Sequence, residues 1–344
     1  MMSTTTPSHI LLVRLSAIGD IVMASGLPSS IKLIYPNAKI TWLAESPFVE
    51  LIRNHPEVDN VIDWPKNQWR ELAQRGAYIT LFKSILRFRR QLKNAEFTLA
   101  IDAQGLFKSA LFAFWSGATT RIGFNSKEYG QYLLSKTIDK PLSNQISSEY
   151  RYLAKYLGTD DYTLHLEMGR QAENSARLSL SSNGIDDNYI VLAPFTTREQ
   201  KHWPLKHWLG LIFLIRKQTD IPLVILGGPT DITNANTLAT PHPNVVSLAG
   251  KLSLAESASV IKTCTLLIGV DTGLTHMSVA YKRPTIALFG STCPYTYTDN
   301  TSTHVLYKGL PCAPCKRKPT CDGAYNCMTS LMPSEVINVM VDYL

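Results

Sequence analysis

The feature that most constrains the fold is an alternation of short apolar segments with amphipathic segments, which runs along the chain twice. Short apolar segments rich in Val, Ile and Leu are typical of buried strands, and longer segments with apolar residues three or four apart are typical of helices. Regular strand–helix alternation predicts a mainly parallel sheet with helices on both faces. We therefore expect two α/β domains.

The first run of the alternation covers residues 1–165, and the second covers residues 188–332. In the first run, strands are predicted at 9–15, 39–45, 58–64, 97–103 and 120–124. In the second run, strands are predicted at 189–195, 222–228, 244–250, 266–271 and 285–290. Between the two runs, residues 166–187 are polar and predict a linker with one short helix, and residues 333–344 predict a final amphipathic helix. A length of 344 residues also favours two domains over one.

The composition, with 45% hydrophobic and 18% charged residues, is typical of a soluble enzyme. No apolar run reaches the roughly 18 residues that a membrane-spanning helix needs. The opening residues, "MMSTTTPSHI", lack the basic region and apolar core of a secretory signal. We therefore expect the protein to work in the cytoplasm.

The net charge of +7 is concentrated in one part of the chain, residues 66–93, called here the basic segment. Its only acid is Glu71, and its eight basic residues are Lys66, Arg70, Arg75, Lys83, Arg87, Arg89, Arg90 and Lys93. Such a concentration predicts an anionic partner: a lipid head group, an acidic sugar or a nucleic acid. The alternative is a solvated helix face, with Leu81, Ile85, Phe88 and Leu92 packed inward.

The loop "GVDTGLTHMSVA" (269–280) predicts an anion site in the second domain. A strand ends at Asp271, and Thr272 and Gly273 begin a helix whose free N–H groups and positive dipole end suit a phosphate. His276, one turn into the helix, can donate a further hydrogen bond. Asp271 itself would repel a phosphate, and so it is expected to cap the helix or to bind a neutral sugar hydroxyl.

Two further loops follow strands of the same predicted sheet. "APFTTREQKHWP" (193–204) contains Thr196, Thr197 and Lys201, hydroxyls and a cation that suit a diphosphate. "GGPTD" (227–231) ends in Asp231, which could bind a ribose. Ligands of open α/β sheets bind at the carboxyl ends of the strands. Three such loops at one edge predict a nucleotide-diphosphate site.

The first domain contains a different loop, "RLSAIGDIVMASG" (14–26), after its first strand. This loop has one glycine before its helix, Gly19, and it places a carboxylate, Asp20, where a phosphate would be repelled. If the nucleotide occupies the second domain, Asp20 can act as a general base on an attacking hydroxyl. The alternative is that Asp20 only caps a helix at 21–33.

Four of the six cysteines lie together in "PCAPCKRKPTCDGAYNC" (311–327). Cys312, Cys315, Cys321 and Cys327 could hold a structural zinc ion, although the second pair is more widely spaced than in a regular zinc knuckle. Free thiols in an ordered loop are the alternative, because stable disulfides are disfavoured in the cytoplasm.

Two other classes of function are less consistent with the sequence. A nucleotide- or nucleic-acid-binding protein without catalysis is supported only by the basic segment, which has no nucleic-acid motif beside it. A nicotinamide-dependent dehydrogenase would carry G-x-G-x-x-G after a first strand, and neither domain does.

Four motifs in the same order resemble glycosyltransferase family 9, the ADP-heptose heptosyltransferases that build the lipopolysaccharide inner core. They are "RLSAIGDIV" (14–22), "IDAQGLFKSA" (101–110), "TTREQKHWP" (196–204) and "VDTGLTHMSVA" (270–280). The resemblance implies a GT-B fold, in which two Rossmann-like domains face each other across a cleft. Residues 1–165 would bind the acceptor, residues 188–332 would bind the nucleotide sugar, and the helix at 333–344 would pack back on the first domain.

The resemblance also implies a reaction: inverting transfer of L-glycero-D-manno-heptose from ADP-heptose to Kdo of Kdo-lipid A, the activity of heptosyltransferase I. Asp20 matches the catalytic base, and Lys201 matches the lysine that neutralises the diphosphate. The remaining matches in the donor site are Thr196, Thr197, Asp231, Asp271, Thr272, Gly273 and His276. The expected acceptor-binding residues are Lys66, Arg70, Lys83, Arg87, Arg90 and Gln104.

No cofactor or metal is expected, because protein cations can neutralise the diphosphate and no Asp-X-Asp triplet lies near the proposed site. The protein would be a monomer, peripheral on the cytoplasmic face of the inner membrane, and it would not bind nucleic acid. The cysteine-containing segment is more similar to heptosyltransferase II. Heptosyltransferase II and a transferase for another nucleotide sugar therefore stay open as alternatives.

Overall fold

A computed structural model describes residues 6–141, 143–292, 295, 297–298, 300–315 and 318–343. The chain divides into two compact units. The first contains the residues up to Ser143 together with Ser147–Glu167, and the second contains Asn144–Ile146 and the residues from Met168 onward. The main boundary thus lies close to residue 165, where the alternation predicts the end of the first domain.

The first unit is built on a parallel sheet of six strands in the order β3-β2-β1-β4-β5-β6. The strands are β1 (His9–Val13), β2 (Lys39–Glu45), β3 (Asn60–Trp64), β4 (Leu99–Asp102), β5 (Thr120–Phe124) and β6 (Lys136–Ile138). All four residues of β4 are buried, as expected of a central parallel strand covered on both faces. The short strand β6 was not predicted from the sequence, because three residues at a sheet edge leave little apolar pattern.

The helices of the first unit pack on this sheet. They are α1 (Ile18–Ala24), α2 (Leu27–Ile34), α3 (Lys66–Gln74), α4 (Tyr78–Asn94), α5 (Phe107–Trp115) and α6 (Ser148–Leu157). One face of the sheet is covered by an aromatic cluster that includes Trp64, Phe88 and Phe112, with ring centroids 5.1 to 5.3 Å apart. These rings fix α4 and α5 against the strands.

The helix expected at 21–33 is two helices in the structure, α1 and α2, which are separated at Ser25 and Gly26. The reason is a close tertiary contact. A Cβ added at Gly26 would lie 2.7 Å from the carbonyl oxygen of Thr163 and from the Tyr162 ring. The chain at 162–167 therefore presses on the connection between the two helices, which only a glycine permits.

The second unit repeats the architecture with a parallel sheet in the order β12-β11-β10-β7-β8-β9. The strands are β7 (Ile190–Ala193), β8 (Leu223–Ile225), β9 (Val245–Ser247), β10 (Leu266–Val270), β11 (Thr285–Phe289) and β12 (Thr303–Tyr307). Every residue of β10 and β11 is buried. Two parallel six-stranded sheets with helices confirm the predicted α/β class.

The helices of the second unit are α7 (Arg170–Ser181), α8 (Leu205–Arg216), α9 (Ile232–Ala239), α10 (Leu254–Thr263), α11 (Gly273–Ala280), α12 (Asn326–Thr329) and α13 (Pro333–Met340). The expectation that the last helix packs on the first domain is wrong for α13. Its residues Val336, Ile337 and Met340 are part of the core of the second unit, together with Trp208 of α8. A short amphipathic helix packs on the nearest apolar surface, and the sequence pattern does not say which surface that is.

None of the helices in the described part of the chain is long and apolar enough to span a membrane.

Candidate active site

The carboxylate of Asp271 is the centre of a compact cluster of polar side chains in the second unit. Asp271 directly follows β10 and is 8% exposed. Its Oδ2 lies 2.6 Å from Lys201 Nζ and accepts a hydrogen bond of 2.5 Å from Thr292 Oγ1. Its Oδ1 lies 3.3 Å from His276 Nε2. We call these four residues the Asp271 cluster.

The electrostatics of the cluster keep Asp271 ionised. Burial alone would raise the pKa of this carboxyl, but the hydrogen bond and charge of His276 and the ammonium of Lys201 outweigh burial. The pKa of Asp271 is therefore far below its ordinary value. The buried carboxylate contacts Lys201, His276 and Thr292, and these contacts fix the lysine and the histidine in place.

Glycine in β10 brings the parts of this site together. A Cβ at Gly269 would lie 2.9 Å from the Cβ of Ala193, the last residue of β7. The close approach lets the loop after β7 reach the end of β10, where Thr196 Oγ1 donates a hydrogen bond of 3.5 Å to the carbonyl of Asp271. Thr196 and Lys201, both from the β7 loop, are thereby placed at the start of α11.

The start of α11 is available to an anion. Thr272 is the residue before the helix, with extended backbone, and Gly273 is its first residue. The first N–H groups of a helix have no partner within it, and the helix dipole adds partial positive charge there. The predicted residues Thr196, Lys201, Thr272, Gly273 and His276 thus lie around the end of one strand, with Asp271 between them.

Two of the predicted donor-binding residues, Thr197 and Asp231, lie outside the Asp271 cluster. Thr197 is exposed, next to Thr196. The Asp231 carboxylate accepts a hydrogen bond of 2.8 Å from the Gly228 N–H, so it closes its own turn. The β8 loop nevertheless lies beside the β7 loop, because a Cβ at Gly227 would be 2.7 Å from the Phe195 ring.

In the first unit, Asp20 is held by an arginine. Asp20 is the third residue of α1, and its Oδ2 lies 2.6 Å from Arg14 Nη2. The same oxygen accepts a hydrogen bond of 3.1 Å from the Ala17 N–H, so the side chain also caps the helix. Both contacts are to Oδ2, and the side chain is 37% exposed. Oδ1 is thus the oxygen available to a substrate.

Arg14 is itself anchored. Only 5% exposed, it donates a hydrogen bond of 3.3 Å to the Ala103 carbonyl, and its guanidinium lies 5.6 Å from the centre of the Tyr150 ring. Burial alone would lower the pKa of Arg14, but its interactions with the Tyr150 side chain and with the carboxylates of Asp20 and Glu149 raise it instead. Arg14 therefore stays charged and fixes Asp20 at the carboxyl end of β1.

The predicted acceptor residues do not form one cluster. Gln104 is buried, and its Oε1 accepts a hydrogen bond of 2.8 Å from the Leu15 N–H, which ties the β4 loop to the β1 loop. Lys66 Nζ lies 3.0 Å from the buried carboxylate of Glu45. The remaining cations are exposed on α3 and α4; they are Arg70, Lys83, Arg87 and Arg90.

The cysteine segment forms no disulfide among its described residues, and Cys312, Cys315, Cys321 and Cys327 are free thiols. In the described part of the chain, no three side chains of His, Cys, Asp or Glu are grouped closely enough to hold a metal ion.

A family model described as glycosyltransferase family 9 (heptosyltransferase) matches residues 85–326. The chain belongs to glycosyltransferase family 9. It is 30% identical over 321 residues to lipopolysaccharide heptosyltransferase 1 of Pseudomonas aeruginosa, covering 91% of this chain and 87% of the relative. Relatives named lipooligosaccharide heptosyltransferase 2, from Haemophilus influenzae, and lipopolysaccharide heptosyltransferase 3, from Escherichia coli, are each 25% identical.

Solved structures of the family share its fold. A glycosyltransferase family 9 structure from Veillonella parvula superposes with a TM-score of 0.85 at 18% identity, over 98% of this chain and 97% of that one. Heptosyltransferase WaaC of Escherichia coli with ADP-2-deoxy-2-fluoro heptose superposes with a TM-score of 0.74 at 24% identity, over 98% and 100% of the chains. The predicted GT-B fold is confirmed, and this family 9 enzyme is a glycosyltransferase.

Sequence reasoning missed three side chains in these sites. Arg14 and Thr292 hold the two carboxylates, yet neither residue type indicates its partner from sequence alone. Lys108, inside the "IDAQGLFKSA" motif, lies 3.9 Å from Glu45 beside Lys66. Burial and the charge of Lys66 lower the pKa of Lys108. The sequence signal that could have identified Lys108 is its position in a motif that resembles the family.

Proposed function

We propose that this family 9 enzyme transfers L-glycero-D-manno-heptose from ADP-heptose to Kdo of Kdo-lipid A, with inversion at the anomeric carbon. The observation that supports the chemistry best is the Asp271 cluster, which holds a lysine and a histidine at the start of α11. The Pseudomonas relative, named heptosyltransferase 1, supports the choice of acceptor. The WaaC complex supports the choice of donor.

The second unit binds the donor in this proposal. Lys201, the Thr196 and Thr197 hydroxyls and the N–H groups of α11 hold the diphosphate, and Asp231 binds the ribose. As the bond between the anomeric carbon and the phosphate oxygen breaks, that oxygen keeps the electron pair and ADP gains negative charge. The fixed cation and helix dipole stabilise this charge where it develops. Asp271 keeps Lys201 aligned and accepts hydrogen bonds from sugar hydroxyls.

The first unit supplies the base. Oδ1 of Asp20 takes the proton from the acceptor hydroxyl while the hydroxyl oxygen forms its bond to the anomeric carbon. Arg14 and the Ala17 N–H keep Oδ2 occupied and the carboxylate oriented. Protein cations neutralise the departing diphosphate, so the mechanism uses no metal ion and no cofactor.

The acceptor explains the basic segment. Kdo carries a carboxylate and lipid A carries phosphates, so Lys66, Arg70, Lys83, Arg87 and Arg90 attract both, and Gln104 orients the loop beside Asp20. Each cation near an anionic membrane surface adds on the order of 1 kcal/mol. The enzyme would therefore be peripheral on the cytoplasmic face of the inner membrane, and in this proposal it works as a monomer.

The test is a transfer assay with ADP-heptose and two acceptors, Kdo-lipid A and the same lipid already carrying one heptose. We expect ADP release and a glycosylated product with Kdo-lipid A only. Product formed only with the heptose-bearing acceptor would assign heptosyltransferase II activity instead. Product formed only with a different nucleotide sugar would overturn the choice of donor.

A further inference from the structure

The first turns of α4 expose large apolar side chains. Tyr78 is 68% exposed, Ile79 is 75% exposed and Phe82 is 60% exposed. We call these three residues the α4 tip. The buried residues of the same helix, Phe88 and Leu92, both lie in its second half. The pattern predicts that Leu81, Ile85, Phe88 and Leu92 pack inward, and only the last two of these are buried.

Helix length explains why the tip is uncovered. The 17 residues of α4 span about 25 Å, whereas the five residues of β1 span about 17 Å. The helix ends at the amino edge of the sheet, where the carbonyl of Ala95 lies 2.9 Å from His9 Nδ1. Because α4 runs back along the sheet to that edge, its first turns lie at the opposite, carboxyl edge.

Other exposed apolar side chains lie on elements that begin at this same carboxyl edge. Phe107, the first residue of α5, is 46% exposed. After β5, Tyr129 and Tyr132 are 69% and 80% exposed, with nearly parallel rings 6.4 Å apart. Asp20, in the loop after β1, lies at the carboxyl edge as well.

The charge beside the α4 tip indicates what covers it. The tip lies within the basic segment, which contains eight cations and a single acid, Glu71. Arg75 precedes the tip, Lys83 follows it, and Arg87 and Arg90 continue along the exposed face of α4. Apolar side chains flanked by cations bind anionic lipid surfaces, because the head groups attract the cations while the apolar groups enter the acyl boundary. Tyrosines suit that boundary too.

We infer that the carboxyl edge of the first unit docks on an anionic phospholipid bilayer, with the α4 tip inserted between the lipids and Tyr129 and Tyr132 at the head-group level. This inference rests on the proposed function, because a lipid acceptor is the reason for the enzyme to bind a membrane. It goes further, because it adds insertion of apolar side chains to attraction by cations. Docking by this edge brings Asp20 to the membrane surface, where the acceptor sugar lies.

The test measures binding of the full chain to vesicles of phosphatidylethanolamine and phosphatidylglycerol that contain no acceptor. The variant Ile79→Ser/Phe82→Ser removes the insertion and keeps every charge. We expect its vesicle partition coefficient to fall at least about tenfold, the effect of losing roughly one large apolar side chain from the membrane. The matched control is Leu33→Ser, which removes a 59% exposed side chain at the end of α2, near the opposite edge of the sheet. This control should bind as the wild type does.

Wild-type binding by Ile79→Ser/Phe82→Ser, an equal loss in Leu33→Ser, or no vesicle binding by the unaltered protein would each overturn the inference. Unchanged transfer to a detergent-solubilised acceptor by the double variant shows that the fold and the reaction are intact. Because the vesicles carry no acceptor, binding is measured independently of catalysis. Intact vesicle binding without heptosyl transfer would refute the proposed function alone.

Discussion

Two side chains of opposite charge, Asp20 and Lys201, are each held by a partner of the other sign. Arg14 lies 2.6 Å from Asp20, and Asp271 lies 2.6 Å from Lys201. In both pairs the anchoring partner is the more buried side chain, and the other member is the one that we propose acts on the substrate. Such orientation is what a base or an electrostatic stabiliser needs before the reaction starts.

Asp20→Asn tests the base. The substitution keeps the size of the side chain and removes its ability to accept a proton, so kcat should fall at least about a hundredfold. The dissociation constant for ADP-heptose, measured by calorimetry, should stay unchanged. The control is Asp63→Asn, at an exposed position of β3. Near-normal turnover in the Asp20 variant would remove this residue from the proposed role.

Lys201→Ala tests the stabilisation of the leaving group. Loss of the cation should lower kcat by about a hundredfold or more, because the charge that develops on ADP is no longer balanced. Steady-state kinetics with ADP-heptose give both kcat and KM. Lys206→Ala, at an exposed lysine of α8, is the matched control. A Lys201 variant that lost only binding, with kcat intact, would contradict a role in the bond-breaking step.

The elements differ in how far the sequence could predict them. Strands β2 and β5 coincide with the predicted ranges, because a continuous apolar run is a local signal. The separation of α1 from α2 depends on the contact of Gly26 with Thr163, which no local pattern contains. The Lys201–Asp271 pair likewise depends on which loops the sheet brings together, whereas the Arg14–Asp20 pair depends on how one loop folds.

The exposed face of α4 carries the cations Arg87 and Arg90. Arg87→Ser/Arg90→Ser should raise the KM for the lipid acceptor and weaken vesicle binding, because both cations are lost from the basic segment. The affinity for ADP-heptose should not change. The matched control is Arg170→Ser/Arg177→Ser, two exposed arginines of α7. A fall in donor affinity would show that these cations bind the donor and not the acceptor, which would contradict the proposal.

A buried histidine links three segments of the first unit. His55 is 3% exposed; its Nε2 donates a hydrogen bond of 2.9 Å to the Ser25 carbonyl, and its Nδ1 accepts one of 3.1 Å from the Glu57 N–H. The ring also contacts His165, with centroids 4.9 Å apart. Burial is the main cause that lowers the pKa of His55 from 6.5 to about 4.

This shift predicts a pH dependence of stability. Between pH 6.5 and about 4 the unfolded chain binds a proton at His55 that the folded protein excludes, so the stability present above pH 6.5 is lost as the pH falls. The loss due to this group should reach about 3 kcal/mol. Urea unfolding of the wild type and of His55→Gln across this range measures it. Equal pH dependence in the two proteins would show that His55 does not contribute.

At the scale of the whole molecule, two similar α/β units carry different residues at the carboxyl ends of their first strands. The loop after β1 presents a carboxylate held by Arg14, and the loop after β7 presents hydroxyls and a lysine held by Asp271. Repetition of a strand–helix pattern made the shared architecture predictable. The different chemistry was predictable only from the loop residues, since sheets of the same order serve many reactions.

The central claim is that nucleotide binding and proton removal belong to different units. A crystal structure of the protein with ADP-2-deoxy-2-fluoro heptose tests it most directly. We predict the diphosphate at the start of α11, within hydrogen-bond distance of Lys201 and Thr196, with no phosphate contact to Arg14. A diphosphate bound beside Asp20 in the first unit would contradict the account.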